Sequence, residues 1–306
     1  MNNLAADTNV RESVRTLLAG AIDYAGLFPP SALSMPEAVI NYAMYRNSNY
    51  NWMLGRFVVG VSRLREFSES AADFISRDGL AGAWRISVVA GDDLYETIRA
   101  VEDFNLAHAP GAVCDSIEMK AVTSYQVETV TASLPPGVSV YFEIDTGEGF
   151  AELIGSVAIS GQRAKIRTGG VVPEAFPQSA DIVKFVQVCS AANVPFKATA
   201  GLHHPIRCFH PLTYAANSVK GTMHGFLNLF MMTGFAREAF RRSFLESVME
   251  DEFEEVFEFS DTEAIWRDDF TLNLFQLQRT RQFGIQSFGS CSFDEPIADL
   301  QKLGIL

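Results

Sequence analysis

Residues 163–201 read RAKIRTGGVVPEAFPQSADIVKFVQVCSAANVPFKATAG, and this stretch decides the fold. It opens on a short alternating run, RAKIRTG at 163–169, and closes on another, VPFKATAG at 194–201. Between them, 178–192 has the length and pattern of a helix. Strand, helix and strand in that order form the unit of a parallel sheet. The unit recurs in both directions. Upstream, strands are predicted at 19–26, 56–62, 83–90, 115–122 and 138–145, and downstream at 285–290. Helices are predicted at 35–50, 66–79, 92–107 and 148–157, with a long one from about 222 to 249. Pro36 after Ser34, and Asp92 and Asp93 before LYETIRAVEDF, mark helix starts.

Eight strands alternating with helices predict an α/β fold, a closed (β/α)8 TIM barrel. An open doubly wound sheet competes, but no GxGxxG follows the first strand. The reading is one barrel domain over 1–306. A helical insertion at 202–282, between strands seven and eight, is expected to cover the barrel, because that run is too long for one helix.

The bulk composition agrees with a globular enzyme-sized chain. Of 306 residues, 48% are hydrophobic and 20% charged. A chain of this size buries roughly 75% of its unfolded surface, so it needs no disulfide or structural metal to fold. The four cysteines, Cys114, Cys189, Cys208 and Cys291, are widely spaced, with no CxxC. That usage, with no basic-then-apolar leader in MNNLAADTNVRES, points to a reducing, cytoplasmic setting. The apolar run GFLNLFMMTGF at 225–235 is far short of the roughly 20 residues a bilayer span needs. The formal charge is −13 with no basic stripe, which argues against nucleic acid as a partner. Residues 250–269 hold ten Asp or Glu and one Arg, a run read first as a solvated face. The Phe-rich, acidic 241–282 region either covers the barrel or forms a contact in a homo-oligomer.

Functional candidates come from side chains two apart on a strand, which share a face. Glu118 and Lys120 pair in this way. So do Tyr141, Glu143 and Asp145, then Lys165 and Arg167, then Lys197 and Thr199. Their neighbours Val140, Phe142, Ile144, Ala164, Ile166, Phe196 and Ala198 are apolar and should face the helices. The charged set should then face the barrel axis near the C-terminal strand ends, where barrel enzymes keep their chemistry. Two lysines side by side would push one pKa down, leaving an amine able to form a Schiff base with a carbonyl. The alternative is that each lysine is only a counter-ion for Glu118, Glu143 or Asp145.

The turn Arg167, Thr168, Gly169, Gly170 is read as an anion nest with an Arg clamp, or as a plain tight loop. Asp23 ends the first strand and would sit at the same rim. Arg85 is placed inward with Ser87. His203 and His204 follow strand seven, and His224 with Asn228 opens the long helix. The histidines are read as acid–base groups, as loop hydrogen-bonders, or, with Glu143, as ligands of a divalent metal. No organic cofactor is expected. Cys291, after strand eight, is read as a buried or rim thiol.

IDYAG on strand one, KIRTGG on strand six and KATAGL on strand seven resemble the layout of the class I deoxyribose-phosphate aldolases. That resemblance implies a (β/α)8 barrel in which Lys165 forms the Schiff base and Lys197 lowers its pKa. It also makes Asp23 the strand-one aspartate and Glu118 the candidate for the strand-four acid. The 32-residue step between the lysines suits one βα unit. Arg167 stands where that family has a small hydroxyl residue, and the His203–His204 doublet lies outside its pattern. KIRTGG and FKATAGLHHP also resemble segments of uncharacterised bacterial barrel proteins. Three functions follow as expectations. The leading one is a lyase or isomerase for a small anionic carbonyl compound, a sugar phosphate or keto acid. The others are a metal-dependent barrel hydrolase or isomerase, and a non-catalytic binding or scaffold barrel.

Overall fold

The computed structural model describes residues 10–80 and 82–306; residues 1–9, part of the segment read for a leader, and Ala81 lie outside the described residues. The chain runs α1 (Glu12–Leu18), β1 (Ile22–Tyr24), α2 (Met35–Arg46), β2 (Leu54–Gly60), α3 (Leu64–Ala71), β3 (Trp84–Val89), α4 (Leu94–His108) and β4 (Ala112–Lys120). It continues through α5 (Ser124–Ala132), β5 (Ser139–Glu143), α6 (Phe150–Ile159), β6 (Arg163–Arg167), α7 (Ser179–Ala191) and β7 (Phe196–Thr199). After a long excursion come α10 (Leu274–Phe283), β13 (Ile285–Ser290) and α11 (Asp294–Lys302).

All eight predicted strands form. They close a parallel barrel in the order β1-β13-β7-β6-β5-β4-β3-β2. The last strand returns to the first, with Ile22 opposite Phe288 and Tyr24 opposite Ser290. The period-two pattern places the apolar faces as expected, but Lys120 and Asp145 leave the inward set and pair with each other in solvent at 2.8 Å. Val140, Phe142, Ile144, Ala164, Ile166, Phe196 and Ala198 are buried in the apolar layer between strands and helices. At about 25 cal/mol per Å² of apolar surface, this layer is the main source of stability.

The excursion from 200 to 284 is the expected insertion between strands seven and eight, but it holds strands as well as helices, and the single long helix expected there is two. It begins with a hairpin, β8 (Cys208–Pro211) and β9 (Lys220–Met223). Two helices follow, α8 (Phe226–Arg237) and α9 (Arg242–Glu250), then a three-stranded sheet of β10 (Phe257–Phe259), β11 (Glu263–Trp266) and β12 (Phe270–Asn273). The long helix breaks at Ala239, which takes a left-handed φ of 60°. The corner lets Phe235, Phe240, Phe244, Trp266 and Phe270 close into one aromatic cluster. The acidic run is not wholly a solvated face. Its Asp251 is buried and accepts hydrogen bonds from Trp266 Nε1 at 3.0 Å and Arg267 Nε at 2.8 Å. Strands β10 and β11 alternate inside that run, and their exposed charges mask the alternation.

Four helices, α1, α5, α10 and α11, carry no prediction. Helix α5 shows why: SYQVETVTA is rich in β-branched residues and buries only Val127 and Val130. Thr123 starts it by accepting a hydrogen bond from the Gln126 N–H. Among the described residues, no helix is long and apolar enough to cross a membrane.

Candidate active site

Parallel pairing sets Glu143 beside Lys165, and Lys165 beside Lys197, on β5, β6 and β7. Two ammonium groups pointing inward from adjacent strands repel, so carboxylates must interleave with them. Glu118, from β4, does this with both oxygens. Oε1 is 2.7 Å from Lys197 Nζ and Oε2 is 2.8 Å from Lys165 Nζ. Lys165 also reaches Glu143 Oε2 at 2.9 Å, and Lys197 reaches Asp23 Oδ2 at 2.5 Å. The result is one chain, Asp23–Lys197–Glu118–Lys165–Glu143, lying across the barrel.

The chain grades from buried to open. Asp23 and Lys197 are sealed, and Glu143 is 20% exposed. Asp23 is fully engaged: Oδ1 accepts the Arg56 N–H at 2.8 Å, and Oδ2 also accepts Ser287 Oγ at 2.8 Å. Gly55 permits this, because a Cβ there would overlap Asp23 Oδ1. The Lys197 ammonium lies 5.4 Å from the centre of the Tyr141 ring, whose hydroxyl donates to Gln286. Glu143 Oε1, by contrast, has no partner among the described residues.

These contacts reverse the expectation of a lowered lysine pKa. Burial pulls both lysines down, but the carboxylates at Glu118, Glu143 and Asp23 outweigh it, so both sit above the ordinary lysine value. Burial pushes Glu118 up, and the two ammonium groups outweigh it, holding its carboxyl well below the usual range. Like-charge repulsion between the lysines is present, but the interleaved carboxylates dominate it.

Above the chain opens a cavity of about 310 Å³, lined by Glu118, Glu143, Lys165, Lys197, Arg167, Thr199, His203 and Cys291 together with Gly170, Gly201 and the Pro29–Pro30 turn. That is the lower end of the range for small-molecule sites, about 300–1,000 Å³. Arg167, at the end of β6, makes no hydrogen bond or ion pair among the described residues and is exposed at the rim. Thr168 belongs to the turn's construction instead. Its hydroxyl donates to the carbonyls of Ala200, at 2.7 Å, and Thr199. This holds the left-handed Ala200 (φ 65°) and Gly201 (φ 75°) that lead β7 out to His203. Gly169 packs face to face with Gly201 beneath Phe176, where a Cβ on either would overlap the other. Only Gly170 and Gly201 of these glycines line the cavity.

The histidines divide. His203 is buried at the cavity wall, with Nδ1 3.3 Å from Glu295 Oε2 and 3.9 Å from Cys291 Sγ. Burial lowers its pKa, but Cys291 and Glu295 raise it to about 9. His204 Nδ1 lies 2.7 Å from Asp299, outside the cavity. His224 bonds the Pro177 carbonyl at 2.9 Å, and burial takes its pKa down to about 4. Asn228 is a structural clamp, donating to the Val248 and Asp251 carbonyls and accepting the Arg207 N–H. The alternative metal set of His203, His204, His224 and Glu143 is therefore not gathered. Among the described residues no cluster of three or more His, Cys, Asp or Glu could hold a metal ion.

Arg85 shares a strand face with the buried Ser87, but it lies exposed at the other end of the barrel. There it pairs with Asp115 at 2.6 Å, alongside Arg56. Ser87 donates to Glu118 Oε1 at 2.7 Å and so supports the lysine chain from below. Sequence reasoning missed Glu295 and Tyr214. Glu295 carries one signal, an acid in the first turn of the helix that follows strand eight. Tyr214 carries none.

Neither a protein-family model nor a curated protein matches the chain. The fold and cavity alone therefore define its class: a (β/α)8 barrel of the kind used by many lyases and isomerases, with an ionic cluster below an open cavity at the C-terminal strand ends.

Proposed function

We propose that the protein is a lyase or isomerase acting on a small anionic carbonyl compound, a keto acid or sugar phosphate, with Lys165 as the residue that meets the carbonyl. One observation carries this reading. Both lysines line the cavity, and Lys165 is the less buried of the two, with a free Glu143 oxygen beside it and the unpaired Arg167 guanidinium at the rim. Arg167 would take the substrate carboxylate or phosphate by a forked contact.

The resting Lys165 is charged, so the chemistry starts with a proton transfer. Lys165 gives a proton to Glu143 as the substrate's carbonyl enters. The free amine attacks the carbonyl carbon, and the π pair moves to oxygen. The nitrogen's proton then passes to that oxygen, giving a carbinolamine. Glu143 returns its proton to the hydroxyl, water leaves, and a protonated imine remains. The imine draws electrons from the neighbouring C–H or C–C bond, with the Glu143 carboxylate placed to accept a proton. Lys197, held by Asp23 and Glu118, keeps a fixed positive charge under the developing electron density. The resemblance to the aldolases supports the same assignment of Lys165 and Lys197.

The scaffold reading gains some support from the pairing of both lysines, but a scaffold has no use for an open cavity over an ion chain. The test is proton NMR in D2O, with a panel of anionic aldehydes and ketones. The expected result is exchange or cleavage next to the carbonyl of at least one compound, lost in Lys165→Met. Failure of every compound to react would reject the proposal.

A further inference from the structure

Cys291 is the first residue after β13, three residues before α11 begins, and forms part of the cavity wall. The mechanism above makes no use of it. Its sulfur is 3.9 Å from His203 Nδ1 and 3.7 Å from the Tyr214 hydroxyl. Glu295 completes the group, accepting from Tyr214 at 3.0 Å and lying 3.3 Å from the same His203 nitrogen. Tyr24 of β1 is the remaining titratable group that feels its charge. His203 Nδ1 faces both the thiol and the Glu295 carboxylate, so an imidazolium proton held there stabilises a Cys291 thiolate at the cavity wall. The other three cysteines lack it: Cys114 and Cys189 are buried, Cys208 is half-buried, and none of the three lines the cavity.

We propose that Cys291 is a covalent-capture site for small α,β-unsaturated carbonyl compounds entering the barrel mouth, with His203 as its proton partner. The thiolate attacks the β-carbon and an S–C bond forms. The C=C π pair moves to the α-carbon, which takes a proton from the His203 imidazolium. His203 is left neutral and regains a proton from water. Charge supports the geometry. Burial raises the Cys291 pKa, but His203 outweighs it and holds the thiol below its ordinary value, while burial pushes Cys208 up to about 11. The inference is independent of the lysine chemistry, since it needs only the cavity and the Cys–His–Glu group.

The experiment is labelling of the whole protein with acrylamide, read cysteine by cysteine by peptide mass measurement. At pH 7 the Cys291 adduct should form at least about tenfold faster than the Cys208 adduct. Its rate should rise less steeply than the Cys208 rate from pH 7 to 8.5, because His203 holds the Cys291 thiol below its ordinary value. His203→Gln should slow it about tenfold or more. Labelling of Cys291 no faster than Cys208 would overturn the inference. So would a wild-type rate rising about tenfold per pH unit, the behaviour of an ordinary thiol below its pKa. That second readout needs no variant.

Discussion

At the N-terminal end of the barrel, Asp115 is clamped between Arg56 and Arg85, with contacts of 2.6 Å to each. At the C-terminal end, Lys165 is clamped between Glu118 and Glu143 at 2.8 and 2.9 Å. Both clusters are paired, and the lower one opens to solvent at Arg85. They differ in what is left over. Asp115 spends both oxygens, and burial, which would raise its pKa, is outweighed by the two guanidiniums. The upper cluster leaves a Glu143 oxygen and a nearby Arg167 unspent, under a cavity. Ion pairing inside a barrel therefore does not mark a site. Unspent charge facing a cavity is what separates the upper cluster from the lower one.

The largest expected difference between the two ends is in activity. Lys165→Met should lower turnover by about 10³-fold or more, while Arg85→Met changes it less than about threefold. Equal losses would erase the distinction. Stability comes next. Glu118→Ala takes one of two carboxylates from each buried ammonium and should cost about 3 kcal/mol in urea unfolding. Asp115→Ala, whose arginines reach solvent, should cost about 1–2 kcal/mol. The Glu118 carboxyl has its pKa lowered on folding. Its contribution is therefore present above the unfolded carboxyl value, about 4.3, and is lost as the pH falls below it. Glu118→Gln should flatten that acid limb.

Anion binding is a smaller effect. Arg167→Ala should weaken binding of inorganic phosphate about tenfold by calorimetry, and Arg85→Ala should leave it unchanged. The smallest is at His203, whose pKa is raised to about 9 on folding. Its contribution is full below about 6.5 and is lost as the pH rises through about 9, so wild type and His203→Gln should converge in stability above that point.

The upper cluster was legible in the sequence because strands β5, β6 and β7 are regular, and period two assigns their faces. The lower one was not. Ile86 pairs with Cys114 and Ser87 with Ser116, so Asp115 is the extra residue of a bulge. Counting by two from Glu118 puts Asp115 outside, and the bulge turns it toward the arginines. The lysine pKa was misjudged for a related reason. Two lysines in register are visible in the sequence, but a single Glu118 that reaches both depends on barrel closure. Likewise Cys291 was visible as a residue after strand eight, while His203, Tyr214 and Glu295 approach it from three separate segments. The strands inside the insertion were not legible, because β10 and β11 alternate within an acidic run, where charge hides the pattern.

The central claim is that the C-terminal cluster, and Lys165 within it, meets a carbonyl substrate. Borohydride reduction of the protein in the presence of small anionic aldehydes and ketones, followed by peptide mass measurement, tests it most directly. A reduced adduct on Lys165 is the expected result. Its yield should rise with pH from 7 to 9, because the carboxylates keep the amine charged, and it should be absent in Lys165→Met. Trapping on surface lysines alone, with Lys165 unmodified across the panel, would contradict it.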